Sequence, residues 1–510
     1  MPGIMLNIDN THFFATRSAD EMTEEGVDEL VDVYRDTAVT ELAFCVAGRR
    51  TRVHYDAWGW EPVWTNLEEW EQRGISDHIE NTILLRDRGV DPFERWLARC
   101  REVGIGGWLS IRANDVHHTC DPDHPIHPQF WKDRPDLWRR PYDFERNVDR
   151  ALDYAKEEVR ERLVGFVEEL AGRYEMDGLE IDWMRRPWTF APGREGEGAL
   201  RLTEMMAEIR KILRSRDIAL GVRVPPTPED SRGFGLDAVQ WAKLGIVDRI
   251  APCPDMQVNG NLPVDRWKDA VDGTGVPICP GVNAIVRPYH RYNRMKDGNL
   301  RRVNVEILRG LAAALLHRGA DQVYFFNVFD RKDFLSEWEE DAYRRLMSEA
   351  GDVSGLESKP RRHILTYNDV PAPGTSWRCE LPAPCGPCGN MDPWADLAIP
   401  DTAELRVYTG PVSDDLTAQV RLAFEGATRR YGHRLYIPKE STVRLNGQVC
   451  EFAGPAEIDE PTPDEDLWTY SVPDGAMGEG YNVIEVLPTR ATSIQWAELA
   501  WVEKPARPGG

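Results

Sequence analysis

The sequence predicts an α/β protein, a (β/α)8 TIM barrel followed by a C-terminal β-sandwich. Three observations predict it. Strand-like and helix-like segments alternate eight times between Gly3 and Phe329. No G-x-G-x-x-G follows the first strand, which removes support from a doubly wound dinucleotide-binding sheet. Beyond Arg362 the texture changes to short strands punctuated by Pro, Gly and Asp turns.

The predicted barrel strands are residues 4–9, 40–46, 106–114, 178–183, 218–224, 247–253, 277–283 and 322–328. Between them lie segments with a 3.6-residue apolar period, such as "DPFERWLARCREVG" and "EEVRERLVGFVEELAGRYE". Two inserts, 47–76 after the second strand and 115–144 after the third, are rich in Trp, Arg, His and Pro. Both belong at the C-terminal face of a barrel, where active sites are built. The expected units are a barrel at 1–355, a jelly-roll-like sandwich with its linker at 356–505, and a tail at 506–510.

The chain has 510 residues, 41% hydrophobic and 29% charged, enough apolar material for a large core. A net charge of -24 repels phosphate backbones and argues against a nucleic-acid partner. No apolar run reaches the roughly 18 residues of a membrane span. The opening "MPGIMLNIDN" reads as a strand rather than a secretory signal, and cysteines standing singly in apolar strands (Cys45, Cys253, Cys279) read as buried thiols. Both point to the cytoplasm. Nothing in the sequence excludes a homo-oligomer.

Strand alternation sorts side chains between helix layer and lumen. Placing the bulky aliphatics outward leaves Asn7, Asp9, Ser110, Arg112, Asn114, Glu180, Asp182, Arg223 and Asn283 facing the lumen. Strands six and eight are ambiguous, though Asp255 shares the phase of Ala251 and Cys253. Barrel interiors are usually filled by branched aliphatics, and unpaired buried polar groups are costly, so this lumen reads as a site. Glu180, one layer below the mouth, is expected to be clamped by Arg112 and Arg223 from the flanking strands. Asp182, about 6.6 Å further along, is expected at the rim, facing substrate as an ionised nucleophile or base.

The stretch "YEMDGLEIDWMRRP", preceded by "WLSIRANDVHH", resembles the glycosyl-hydrolase-like (family 10-like) TIM-barrel proteins, with their D-G-[IL]-x-[LI]-D-[YW]-x-R strand. It is also similar to the D-G-x-D-x-D-x-E strand of chitinase-like barrels. There Asp177, Glu180 and Asp182 correspond, but Met184 replaces the acid glutamate. The resemblance implies a glycoside hydrolase acting on a carbohydrate, with an acidic sugar hinted at by the arginines. Glycoside hydrolysis uses two carboxyl groups, about 5 Å apart for retention and further for inversion. Asp182 is the first candidate. Asp255 leads for its partner, since strand six supplies the acid in some related barrels, with Asp9, Asp115 and Glu180 as rivals. Candidates to bind substrate are Asp9, Arg112, Asn114, Asp115, His117, Trp183, Arg185, Arg223, Asn283, Asn327 and Trp60.

Other signals compete. "VHHTCDPDHPIHP" offers His117, His118, Cys120, His124 and His127 as ligand types, but no zinc spacing, so neither metal nor cofactor is expected. "CGPC", from Cys385 to Cys388, sits in a turn-rich stretch and lacks the helix N-terminus that thioredoxin chemistry needs. Trp394, Trp468 and Trp496 could stack on sugars or pack against the barrel. The alternatives to hydrolysis are a non-catalytic carbohydrate-binding barrel and a metal-dependent barrel hydrolase or isomerase.

Overall fold

The structure, a computed structural model, describes residues 3–48, 53, 60–74, 77–140, 147–255, 257–286, 301–331, 338–366, 370, 372, 381, 383–386, 401–425, 438–456 and 466–504. Eight parallel strands make up one sheet: β1 (Ile4–Asp9), β2 (Val39–Gly48), β3 (Gly106–Arg112), β4 (Gly178–Asp182), β5 (Ala219–Val224), β6 (Arg249–Pro252), β7 (Gly281–Asn283) and β8 (Val323–Phe326). Their order is β6-β5-β4-β3-β2-β1-β8-β7. The parallel bridge Ile250↔Ile278 joins β6 to the approach of β7, so the eight strands form a nearly closed barrel. The strands fall where the sequence spacing predicts with shifted ends: β2 runs on to Gly48, β3 ends at Arg112 rather than Asn114, and β7 covers only Gly281–Asn283.

The outward faces pack on the helices as aliphatic alternation requires. Ile4, Leu6, Leu42, Phe44, Leu109, Ile111, Leu179, Ile181, Leu220 and Val222 are all buried in one core. Inside, the lumen is layered. At the bottom the Trp108 ring fills the barrel: a Cβ on Gly178 would come within 2.4 Å of it and one on Gly221 within 3.1 Å, so both neighbours lack one. Trp108 Nε1 donates to Glu41 Oε1 (3.1 Å), which also receives Arg249 (2.8 Å). The next layer holds Asn7, Ser110, Glu180 and Tyr324, and the top layer Asp9, Arg112, Asp182 and Arg223. Side-chain contacts thus settle the phase of β6 and β8: Arg249 and Tyr324 point inward.

Beyond the barrel the chain forms two antiparallel sheets. β9 (Arg361–Ile364), β12 (Leu416–Phe424), β15 (Glu451–Pro455), β16 (Leu467–Ser471) and β18 (Thr492–Glu503) are arranged 9-18-12-16-15, with β10 (Ala383–Cys385) also on β18. The second sheet, in the order 11-17-13-14, contains β11 (Ala403–Tyr408), β13 (Thr442–Leu445), β14 (Gln448–Val449) and β17 (Tyr481–Leu487). Leu405, Val443 and Ile484 from one sheet and Val420, Leu422 and Leu499 from the other share a single apolar cluster. Trp468 and Trp496 are buried, the latter donating to Glu498 (2.9 Å), so neither offers a face to a sugar. Trp394 and Cys388 lie outside the described residues.

The barrel helix Val305–His317 carries β9. Gly310 sits where a Cβ would be 2.0 Å from the Arg362 carbonyl oxygen, and only glycine allows that approach. At the same junction Glu498 accepts from Arg362 (2.8 Å), Arg421 (3.2 Å) and Trp496. Arg318 of the barrel lies over the rings of Tyr408 (4.7 Å) and Tyr481 (5.1 Å). Among the described residues no helix is long and apolar enough to cross a membrane. Cys45, Cys253 and Cys279 are buried free thiols, each pushed up to about 12 by burial.

Candidate active site

The site is set by strand register. Arg112, Asp182 and Arg223 lie side by side on β3, β4 and β5, while Ser110, Glu180 and Gly221 form the row beneath. The arginines therefore meet Asp182 and its neighbours, not Glu180. Asp182 Oδ2 accepts from Arg223 (2.9 Å), and its Oδ1 accepts from the backbone N–H groups of Met184 (2.9 Å) and Arg185 (3.1 Å). With 1% of its surface exposed, Asp182 is not the open rim group expected. Arg223 lies against the Phe326 ring, 3.7 Å from its centroid. Burial disfavours its charge, but Asp182 outweighs that and holds it protonated.

Glu180 is held by neutral donors. Its Oε1 accepts from Ser110 Oγ (2.7 Å), Tyr324 OH (2.9 Å) and Asn7 Nδ2 (3.3 Å). Burial, and then the negative charge of Asp182, push its carboxyl up from 4.5 to about 7. The expected clamp by Arg112 and Arg223 is thus replaced by a hydroxyl cage, because a lumen side chain meets its own row first. Asn7 and Ser110 are visible in the inward phase of the sequence. Tyr324 is not, since the apolar run of β8 hides which face is inward.

Arg112 turns toward β1. It donates to Asp9 Oδ2 (2.6 Å) and lies 3.7 Å from Asp115. Asp9 also caps the helix Asn10–Thr16 through Thr11 N (3.1 Å). Burial would raise Asp9, but Arg112 and then Arg185 hold it well below the carboxylate range. Asp115 is likewise opposed by burial and held well below by His117, Arg185 and Arg112. Its Oδ1 accepts from His117 N (2.9 Å) and lies 2.7 Å from His117 Nδ1. The other ring nitrogen, Nε2, contacts Arg185 Nη2. A guanidinium only donates, so Nε2 carries the lone pair and the proton sits on Nδ1, facing Asp115.

Asp255, past β6, pairs with Arg186, and its backbone carbonyl accepts from Asn283 Nδ2 (3.3 Å) at the end of β7. Asn283 Oδ1 is buried without a partner among the described residues. Asn327, directly after β8, is buried with a left-handed φ of +59°, a conformation asparagine tolerates better than most residues. Arg186 escapes the list of sequence candidates although the double arginine is plain. Its role depends on a loop turning it away from Arg185, which periodicity does not report.

Three expected binders lie elsewhere. Asn114 is fully used on backbone: its Nδ2 donates to the carbonyls of Leu152 (3.2 Å) and Trp188 (3.0 Å), and its Oδ1 accepts Leu152 N (3.0 Å). The strand has ended before it, so its side chain staples loops. Trp183 is buried in the helix layer against Tyr154 and Trp241, as its outward phase dictates. Trp60 packs on Phe166 (4.4 Å) under Arg162 (4.2 Å), both on the helix Glu157–Arg173. In the histidine-rich insert, His118 and His124 stack (3.8 Å) and His127 Nε2 contacts the backbone oxygens of His118 and Asp121. Among the described residues no three His, Cys, Asp or Glu side chains converge as a metal site.

Beside the mouth is a cavity of about 330 Å³ whose walls include Asp115, His117, His118, Cys120, Arg185 and Arg186.

No family model matches the chain, and no curated protein matches it. Among solved structures it is similar to alpha-L-fucosidase isoenzyme 2 from Paenibacillus thiaminolyticus, at 12% identity and a TM-score of 0.42, over 70% of this chain and 50% of that one. It is also similar to the PgaB (BpsB) glycoside hydrolase domain from Bordetella bronchiseptica, at 13% identity and a TM-score of 0.42, over 68% of this chain and 99% of that one. A third likeness is to the Ostrinia furnacalis Group II chitinase catalytic domain 2, at 11% identity and a TM-score of 0.40, over 69% and 96%. The chain thus spans half the length of the fucosidase. With TM-scores this low, the barrel rests on its own strand register.

Proposed function

We propose that the protein is a glycoside hydrolase whose active site is the C-terminal mouth of the barrel. One observation carries the reading: among the described carboxylates at the strand ends, Asp9 on β1 and Asp255 past β6 reach solvent, while Asp115 and Asp182 are sealed. The Asp9 side chain is 21% exposed and that of Asp255 16%, against 3% for Asp115 and 1% for Asp182. Two carboxyl groups flanking an open cleft are what glycosidic cleavage requires.

Asp9, held ionised by Arg112, suits the nucleophile or base. Asp255 is assigned the acid: its partner Arg186 is itself partly exposed, and substrate that displaces Arg186 frees the carboxyl to take up the proton it donates. Asp182 then acts as a positioning residue that fixes Arg223 and the turn into Arg185. Glu180 supports from beneath. The two C-terminal sheets are read as a β-sandwich accessory unit beginning near residue 356.

The test is a panel of chromogenic aryl glycosides and oligosaccharides. Asp255→Asn and Asp9→Asn should each lower turnover by about 10²- to 10⁴-fold while sugar binding persists. Unchanged turnover in both removes the assignment. A second reading, a non-catalytic carbohydrate-binding barrel, is favoured by the arginine pairing of Asp9, Asp182 and Asp255. It predicts sugar binding with no turnover in the native chain.

A further inference from the structure

The cavity beside the mouth has a distinct chemistry. Its charged walls comprise two guanidiniums, Arg185 and Arg186, against one carboxylate, Asp115, which is turned toward His117 and Arg112. The facing imidazole of His117 adds no negative charge. Arg112 stands behind Asp115 and is itself paired with Asp9. Burial, and then Arg112, make the Arg185 charge costly, with Arg186 adding to it and Asp115 and Asp255 relieving it only in part. An incoming anion relieves that cost. The volume, about 330 Å³, is within the usual range for small-molecule sites. Arg186 also holds Asp255, so one wall of the cavity is tied to the carboxylate assigned the acid role.

We infer that this cavity receives an anionic substituent of the sugar, a uronate carboxylate or a sulfate ester, gripped by Arg185 and Arg186. Planar guanidiniums suit such oxyanions because they offer paired, parallel donors. His117 is the positioning residue: its Nε2 lone pair orients Arg185, and Asp115 fixes its tautomer. The inference rests on the glycoside reading and names its substrate class.

The test is calorimetric titration of the full chain with three matched methyl glycosides in the gluco and galacto series: the uronate, the 6-sulfate and the neutral sugar. At least one anionic member should bind about tenfold tighter than its neutral match, and the preference should shrink as salt rises. Which anion wins tells carboxylate from sulfate. Cys120 is exposed on the cavity wall, so charge can be introduced there with little risk to the core. Cys120→Glu should lower affinity for the anionic member and Cys120→Lys should raise it, whereas a merely structural disturbance moves both the same way. Equal affinity for neutral and anionic members, or two variants moving together, overturns the inference and leaves the glycoside reading standing. Failure of every sugar to bind the folded chain overturns that reading, and the inference with it.

Discussion

Two buried carboxylates in this molecule are each paired with arginine and differ in their surroundings. Glu498, at the junction of β18 with the barrel, takes five donated hydrogen bonds from Arg362, Arg421 and Trp496 and is fully enclosed. Asp182, at the top of β4, takes one from Arg223 and two from backbone amides. Enclosure is complete on all sides at Glu498. At Asp182 the next residues along the chain, Arg185 and Arg186, line a cavity. An arginine–carboxylate pair is therefore no sign of function by itself. Its neighbour, apolar packing or open volume, decides what it can do.

Four substitutions break or sharpen this comparison. The largest stability effect is expected at the enclosed pair. Glu498→Ala strands Arg362 and Arg421 and should cost about 3 to 5 kcal/mol in denaturant unfolding, with turnover per folded molecule unchanged. Asp182→Asn keeps the shape and the acceptor for the two amides, so about 2 kcal/mol is expected, but here turnover should fall as Arg223 loses its orientation. Equal loss of turnover in both variants would erase the distinction.

The remaining two act through pH, with opposite signs. The folded-state carboxyl of Glu180 is raised from 4.5 to about 7. Its contribution is fully present below pH 4.5 and is lost as pH rises through 7, so Glu180→Gln should flatten that alkaline decline of melting temperature. His363, on β9, is buried beside Gly310, and burial, then Arg361, hold it well below its usual value. The unfolded chain takes up a proton below about pH 6.5, and the folded one does not. Stability at the junction should thus fall as pH drops below 6.5, and His363→Leu should remove that fall. Melting curves at pH 5, 6.5 and 8 separate the two.

How far the sequence could be read depended on the kind of contact. Period-two alternation reports which side of a strand a residue faces, and it placed Asp9, Arg112, Glu180, Asp182 and Arg223 in the lumen. It does not report register between strands, and register decides that Arg112 and Arg223 share a row with Asp182 rather than Glu180. Loops lie outside both rules. Asn114 follows the alternation on paper but sits past the end of β3, where its amide serves Leu152 and Trp188. Aromatic residues raise a related problem: Trp183, expected among the sugar binders, and Trp496, left open between stacking and packing, both fill volume inside the protein, which composition cannot distinguish from a platform for sugar.

The distance between Arg362 and Glu498 along the chain is 136 residues. At ribosomal speeds β9 emerges roughly ten to thirty seconds before the strand that completes it. The barrel, whose last strand ends at Phe326, can close in that interval, leaving β9 as an unpaired edge beside the helix at Gly310. Such edges invite association between nascent chains, and charge is the usual protection. Half of the four residues of β9 are arginines. The guanidinium that later satisfies Glu498 thus leaves that waiting edge charged until its own partner is made.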